Sequence, residues 1–557
     1  MSLDTIDLVI VGLYAVALFA IAIFVSREPA GESKDTEEYF LAGKALPWWA
    51  IGASLIAANI SAEQIIGQSG QGFVVGLAIA AYEWQAALVL IIVAAFFLPI
   101  FLKRGIYTMP QFLETRFGPC VKTILAVFWI FLFTAVNLTT VLYGGALAIQ
   151  AVTGLGVFTG MAMLAAFALL YSLYGGLKAV AMTDIIQVVI LILGGFAITI
   201  LVLGMVGGER GAMGGLSTLM GELPGHFEMI LDRDHPSYGN LPGIWTLLGG
   251  LWVLHFSYWG FNQYIIQRAL GAESLAEAQK GLAFAALLKF LIPMIVVIPG
   301  IAALWLAQNG LQGLSEEALS AKPDSTYGAL MALMPVGIRG LIFAALVAAI
   351  VSSLASMINS LSTIFTMDIY RDYVATDRAE THYVLIGRVT AATAMVIALF
   401  LAIPLLGGGT SIFQTIQEYT GFVAPGIVAV FVLGFFWKRT NTAGAFALLI
   451  SSVILSLLFF TASGSDGGGV AAILGPVFNP ILGLADFDVT NMPFVVRIWF
   501  IFLICVVIGV VVSLMTDPPE AHQPVDLSDI SFETSTTFKV ASGVAIAILI
   551  GLYVMFW

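Results

Sequence analysis

Apolar residues along this chain run continuously instead of alternating or recurring every third and fourth position. Unbroken runs of about 18 or more such residues are long enough to cross a bilayer as helices. Fourteen are predicted, at roughly 6–26, 45–70, 73–102, 121–152, 156–176, 179–206, 243–267, 277–308, 335–366, 384–406, 410–437, 442–462, 494–515 and 536–557. Longer connections fall at 27–44, 207–242, 309–334, 463–493 and 516–535. The fourth, with Ser463, Gly464, Ser465 and Gly467 to Gly469, reads as a mobile glycine-rich loop. Asp4 and Asp7 precede the first run without any Lys or Arg, so it reads as a transmembrane helix and not a cleaved leader.

Composition agrees with this pattern. The 557 residues are 60% hydrophobic and 10% charged, with a mean hydropathy of +1.00, whereas soluble domains carry about 25% charged residues. The chain is expected to be an all-α polytopic membrane protein, which excludes a secreted, nuclear or cytosolic enzyme. A β-barrel is excluded too, because its strands would alternate. The net charge of −12 comes with few, scattered cations, so no nucleic-acid partner is expected. Cys120 and Cys505 are too far apart in sequence to suggest a disulfide framework or a metal cluster.

Lys and Arg distribute unevenly over alternate loops. One set holds sixteen, from Arg27 and Lys34 through Arg268 and Lys280 to Arg439 and Lys539. The other holds Arg210, Arg233, Lys322, Arg339 and Arg497, while Lys289 sits within a span. The richer side should face the cytoplasm, which puts both termini outside the plasma (inner) membrane.

Function is sought where polar groups persist in apolar spans, since each central charge costs ~2.5–3.5 kcal/mol on insertion scales. The second span carries Ala57-Ala58-Asn59-Ile60-Ser61-Ala62-Glu63-Gln64, the third Tyr82 and Glu83, the sixth Asp184, and the seventh His255 to Gln263. The eighth carries Lys289, the ninth Ser352, Ser353, Ser356, Asn359 and Ser360, and the eleventh Gln414, Gln417 and Glu418. Spans two and seven each open a five-span block, and each is interrupted by small and polar residues. Matched broken helices point to an inverted-repeat transporter with its site near the midplane.

Asn59, Gln64, Glu83, His255, Lys289 and Gln417 together offer donors and acceptors with charges of both signs, which suits a neutral polyhydroxylated ligand. Tyr258 adds a flat face for a pyranose ring. An Arg fork would suit a carboxylate better, but no Arg is read deep in a span. Glu63 and Glu418 are read as structural, and Trp48, Trp49 and Trp84 as interfacial anchors.

At these residues the chain resembles the sodium/solute symporter family, in its bacterial sodium/galactose–glucose branch. The likeness is carried by Tyr39-Phe40-Leu41-Ala42-Gly43-Lys44, by Ala53 to Ser61, and by Tyr258-Trp259-Gly260-Phe261-Asn262-Gln263-Tyr264. Phe343-Ala344-Ala345 through Ser352-Ser353 and Gln417-Glu418-Tyr419-Thr420-Gly421 extend it. The resemblance implies a leucine-transporter-like core of five plus five helices working by alternating access. On that plan residues 1–44 form an extra helix and cytoplasmic loop, 45–206 the first repeat, 207–242 an extracytoplasmic loop, 243–437 the second repeat and 438–557 extra helices.

The resemblance further implies that Asn59, Gln64, Glu83, Lys289 and Gln417 contact a monosaccharide and that Tyr258 stacks beneath it as a cytoplasmic gate. Tyr82 and Phe413, with Gln68, would form the outer lid. Sodium, the co-transported ion, would be held by carbonyls of Ala57, Ile60 and Ala349 and hydroxyls of Ser352 and Ser353, with Asp184 near its exit path. The galactose branch carries Asn at the position of His255, Ser at Ala86 and Met at Gln68, so hydroxyl recognition differs here. Ala355 lacks the hydroxyl of a second sodium site, which implies one sodium per sugar. Other small polar solutes (sialic acid, a nucleoside, an amino acid, inositol) and a sugar sensor or channel on this scaffold remain alternatives. No nucleophile–base constellation is seen, and no covalent chemistry is expected.

Overall fold

The computed structural model describes residues 3–27, 34–311, 313–406, 412–463, 469–483, 487–519 and 527–557, with backbone alone at 151, 174 and 412–415. Among these residues the regular elements are helical. In chain order they include α1 (Thr5–Ser26), α2 (Trp48–Asn59), α3 (Glu63–Val74), α4 (Leu77–Arg104), α5 (Pro119–Gln150), α6 (Val157–Leu173), α7 (177–207) and α8 (Gly211–Glu222). There follow α9 (Leu251–His255, continued by a wider turn over Phe256–Gly260), α10 (Gln263–Leu270), α11 (Leu275–Gln308), α12 (Ile338–Tyr373) and α13 (Glu380–Leu406). The remainder are α14 (Ile412–Gly421), α15 (Ala424–Phe436), α16 (Thr442–Ala462), α17 (Gly469–Leu482), α18 (Phe494–Met515) and α19 (Thr536–Met555).

Among the described residues, eleven helical stretches are long and apolar enough to cross a bilayer, and the pair α2–α3 makes a twelfth, bent by 63°. The other two of the fourteen predicted spans are also present but fail as single straight helices. One is the short α6; the other, 243–267, is divided into α9, α10 and a preceding turn at Ile244–Leu248. The connection 463–493, expected to be a loop, contains α17. Its glycines 464–468 lie outside the described residues. The 207–242 connection likewise contains α8, which folds back on α7 because Gly208 and Gly211 adopt positive φ, a conformation glycine alone takes without strain.

Both predicted interruptions exist. After Asn59 the backbone turns extended at Ile60 (φ −84°, ψ 111°), and helix resumes by Glu63. In the second case Asn262 is extended (φ −84°, ψ 125°), and its side chain caps the start of α10 at the Tyr264 N–H. Polar side chains at the breaks take over bonding that the interrupted helices forgo.

The long α12 is buried almost throughout and packs against α7, α1 and α2. Its amino end is held by Asp7 of α1, whose carboxylate accepts from the Gly337 and Gly340 N–H groups at 2.7 and 2.8 Å. A carboxylate there also meets the positive end of the helix. At the second half of the broken helix, α3 and α11 approach so closely that a Cβ at Gly300 would lie 2.1 Å from the Ser69 carbonyl oxygen. A Cβ at Gly72 would lie 2.5 Å from that of Val297. Such contacts take the place of the hydrophobic effect between membrane helices. Gly300→Val is therefore expected to cost at least the ~1–3 kcal/mol of overpacking, read as a lowered melting temperature in detergent; an unchanged melting curve would refute this packing.

Candidate functional site

The C-terminal turn of α2, the start of α4, α9, α11 and α14 surround a cavity of about 50 Å³. At roughly 10–15 Å³ of such space per water, it has room for a few waters. Its walls include Asn59, Gln64, Glu83, His255, Tyr258, Lys289 and Gln417, together with Tyr82. Residues up to 358 positions apart in the chain thus converge on one space, as expected from their cost in an apolar setting. Leu254, Trp259 and Thr420 also line it and were not predicted as site residues. Each had a signal: Leu254 adjoins His255, Trp259 follows Tyr258, and Thr420 lies one turn from Gln417 on the same helix face.

The cavity's polar groups bond chiefly to one another. The Lys289 ammonium, 1% exposed, donates to the carboxylate of Glu83 and to the side-chain carbonyl of Asn59. It also lies 4.6 Å from the Trp259 ring centroid, within cation–π range. Asn59 donates to the Tyr258 hydroxyl at 3.0 Å, and Tyr258 in turn accepts from Tyr264. Gln68 donates to Glu83 at 2.7 Å and to the Gln64 side chain. It therefore stands against Glu83, the cavity's acidic wall. The Phe413 side chain lies outside the described residues. The buried His255 presents Nε2 without a hydrogen-bond partner among the described residues. Buried polar atoms seldom remain so, and this one lines the cavity.

Of the expected sodium ligands, Ser353 and Ile60 meet where α2 ends against α12. The Ser353 hydroxyl lies 2.9 Å from the Ala58 carbonyl and 3.4 Å from the Ile60 carbonyl. Ala57 and Ala349 are buried on the same two helices. Ala58, whose carbonyl is the nearer, was not on the predicted list. These are hard oxygen donors, the type an alkali or alkaline-earth cation prefers. Ser352 instead donates to Asp184 at 2.5 Å, and Asp184 also accepts from Ser54 at 2.5 Å.

Asp184 belongs to a network that the sequence did not reveal. Arg268, expected in a cytoplasmic loop, is fully buried, with a guanidinium nitrogen 3.7 Å from Asp184. It donates to Ser54 at 2.6 Å and to Ser356 and the Tyr264 carbonyl. The apolar run of the seventh span stops at residue 267, but the helix continues in α10 and carries the arginine inward. An Arg does lie deep in the protein, but it is consumed by Asp184 and does not line the cavity. Beside it Gln267 is held by Phe40, Ser360 and Thr363, so much of the polar character of α10 and α12 is structural. Trp48 and Trp49 are exposed at the start of α2, whereas Trp84, expected as an anchor, is 2% exposed and packed inside.

The sodium:solute symporter family model matches residues 39–451. The chain belongs to the sodium:solute symporter family. Its members are transporters, and sodium is the ion they couple to. A Vibrio parahaemolyticus sodium/glucose cotransporter is 47% identical, covering all of this chain and 99% of the relative. The mouse sodium/myo-inositol cotransporter 2 is 33% identical over 82% of this chain and 70% of the relative. A sodium-coupled sialic acid symporter in an outward-open state superposes with a TM-score of 0.76 at 20% identity, over 92% of this chain and 99% of that one. A nucleobase–cation symporter matches at 0.51 and 12%, over 93% and 99%. The fold of this symporter family member is that of leucine-transporter-type carriers, and the protein is a multi-pass membrane protein.

Removing one partner of a buried ion pair leaves an uncompensated charge, at ~3–5 kcal/mol. Arg268→Met should therefore abolish folded, monodisperse protein in detergent, and adding Asp184→Asn should recover part of it. Equal yields of Arg268→Met and wild type would show that the pair carries no such weight.

Proposed function

We propose that this protein carries a monosaccharide, glucose or galactose, into the cell together with sodium, one ion per sugar, by alternating access. The observation that carries this reading is the convergence of Asn59, Gln64, Glu83, His255, Tyr258, Lys289 and Gln417 on one cavity between two broken helices. An array of donors and acceptors that neutralise one another is matched by a neutral ligand whose hydroxyls replace those bonds one for one. The resemblance to sodium/glucose and sodium/myo-inositol cotransporters supports a polyol-like substrate.

Sugar entry would exchange the Lys289–Glu83 and Lys289–Asn59 contacts for bonds to hydroxyls, with Tyr258 as the floor and Tyr82, Gln68 and Phe413 as the outer cover. Sodium would sit among the Ala57 and Ile60 carbonyls, the Ala349 carbonyl and the Ser352 and Ser353 hydroxyls. There it would draw the end of α2 to α12 and favour the state that admits sugar from outside. Release to the cytoplasm would lead past Asp184. Residues 45–206 and 243–437 are read as the two inverted repeats, with both termini extracytoplasmic in the plasma (inner) membrane. One sodium moving down ~100 mV supplies ~2.3 kcal/mol, and a tenfold gradient adds ~1.4 kcal/mol. Together these sustain sugar accumulation of roughly several hundredfold.

Uptake of radiolabelled sugars by proteoliposomes under a sodium gradient tests the reading. Accumulation of glucose or galactose against its gradient is expected; sugar binding without accumulation would make the protein a sensor, and preference for another solute would reassign the substrate. Lys289→Ala and Gln417→Ala should each reduce uptake to background at normal expression, and wild-type rates in both would remove the pocket. Ser353→Ala should raise the sodium concentration for half-maximal uptake at least several-fold, with an unchanged sodium dependence arguing against that ligand.

A further inference from the structure

The short helix α14 has two faces with different roles. Gln417 and Thr420, one turn apart, line the cavity. Glu418, about 100° around the helix from Gln417, points away and pairs with Arg497 of α18. Arg497 is 6% exposed in the first turn of an otherwise apolar helix, where burial and the positive amino end of the helix both disfavour a cation. Its other contacts lie on α16. Nη1 donates to the Ser463 hydroxyl at 2.9 Å, and the guanidinium carbon lies 5.7 Å from the Phe460 ring centroid. The arginine is thus anchored to α16 and α18, and it reaches α14 through Glu418 alone among the described polar contacts.

The far end of α14 is pinned. The Phe422 carbonyl accepts from Ser452 and Ser456 of α16 at 2.9 and 3.2 Å, and a Cβ at Gly421 would lie 2.6 Å from Ile498 Cδ1. On the side of α14 away from the sugar site, Glu418 itself borders a second cavity of about 430 Å³. This space is lined by Glu418, Arg497, Phe460, Asn240 and Phe494. Packed interiors do not let a helix shift, because there is no volume to shift into. Here the volume lies behind the one polar link.

We propose that Glu418 and Arg497 are positioning residues: their ion pair holds Gln417 over the sugar, and the cavity behind it is the space α14 enters when the site opens. The proposal rests on the sugar-symport reading above. It makes the helices beyond the ten-helix core part of the transport cycle, since α16 and α18 supply both the pivot and the catch.

The test uses the full chain in proteoliposomes with sodium-driven uptake of glucose and galactose. Glu418→Gln, which keeps the side chain's size, should raise the half-saturating sugar concentration at least fivefold while the maximal rate stays within twofold and sodium dependence at saturating sugar is unchanged. The charge reversal Glu418→Arg with Arg497→Glu should bring the sugar value back to within twofold of wild type. If Glu418→Gln lowers the detergent melting temperature, Arg497→Lys, which keeps the charge, carries the same measurement. In a Cys120→Ser background, Asn240→Cys modified by a bulky maleimide should cut the maximal rate at least fivefold, and modification by a methyl-sized reagent should not. An unchanged sugar value in Glu418→Gln, no recovery on charge reversal, or full transport with the cavity filled would each overturn the proposal. Wild-type protein that shows no sodium-driven sugar uptake would overturn the functional reading instead.

Discussion

Polar groups enclosed in an apolar medium must bond to each other or to a guest, because they are cut off from bulk water. The whole centre of this protein is arranged around that constraint. Lys289, Glu83 and Asn59 satisfy one another, Gln68 and Gln64 extend the chain, and Tyr258 ends it at Asn59. A guest that enters has to offer at least what these groups already give one another. The net preference for any guest is then a small difference between two large terms, and a single misplaced hydroxyl weighs heavily in it.

A second consequence concerns coupling. Asn59 belongs to the polar cluster around the cavity, and the Ala58 and Ile60 carbonyls on either side of it approach Ser353 of α12. The two neighbourhoods share one turn of one helix. Whatever orders that turn from the α12 side acts on Asn59 without any longer route. The buried Asp184–Arg268 network lies behind the same contact through Ser352 and Ser54. It holds α2, α7, α10 and α12 in register while the front side remains able to change partners.

Much of this was legible from the chain alone, because a carboxylate, an ammonium and an amide in apolar helices have few permissible destinations. The breaks were legible for a related reason, since Asn59 and Ser61, like Ser257 and Asn262, neither favour continuous helix in mid-span nor repay their burial as apolar packing. Arg268 was not legible. An arginine just past the end of an apolar run looks like a loop cation until its carboxylate partner, 84 positions away in the sequence, is brought beside it. Arg116 is similar: it is fully buried and serves the carbonyls of Gly434 and Thr440. Trp84 misled for a different reason, because tryptophan marks interfaces on average, yet here its ring fills space inside the bundle. The helix α17 was hidden by its setting, a short segment with Pro476 and Pro480 after a run of glycines.

The 63° bend between α2 and α3 also separates charge. Peptide dipoles add along a helix to roughly half a negative unit at its carboxyl end and half a positive unit at its amino end. Breaking the rod in mid-protein therefore sets a negative pole at Asn59 and Ile60 and a positive pole at the start of α3. A small cation at the first and an electron-rich oxygen near the second would each be drawn by backbone electrostatics before any side chain acted. A cation held there, as proposed above, would compensate the negative pole, and its departure would leave that pole facing the interior.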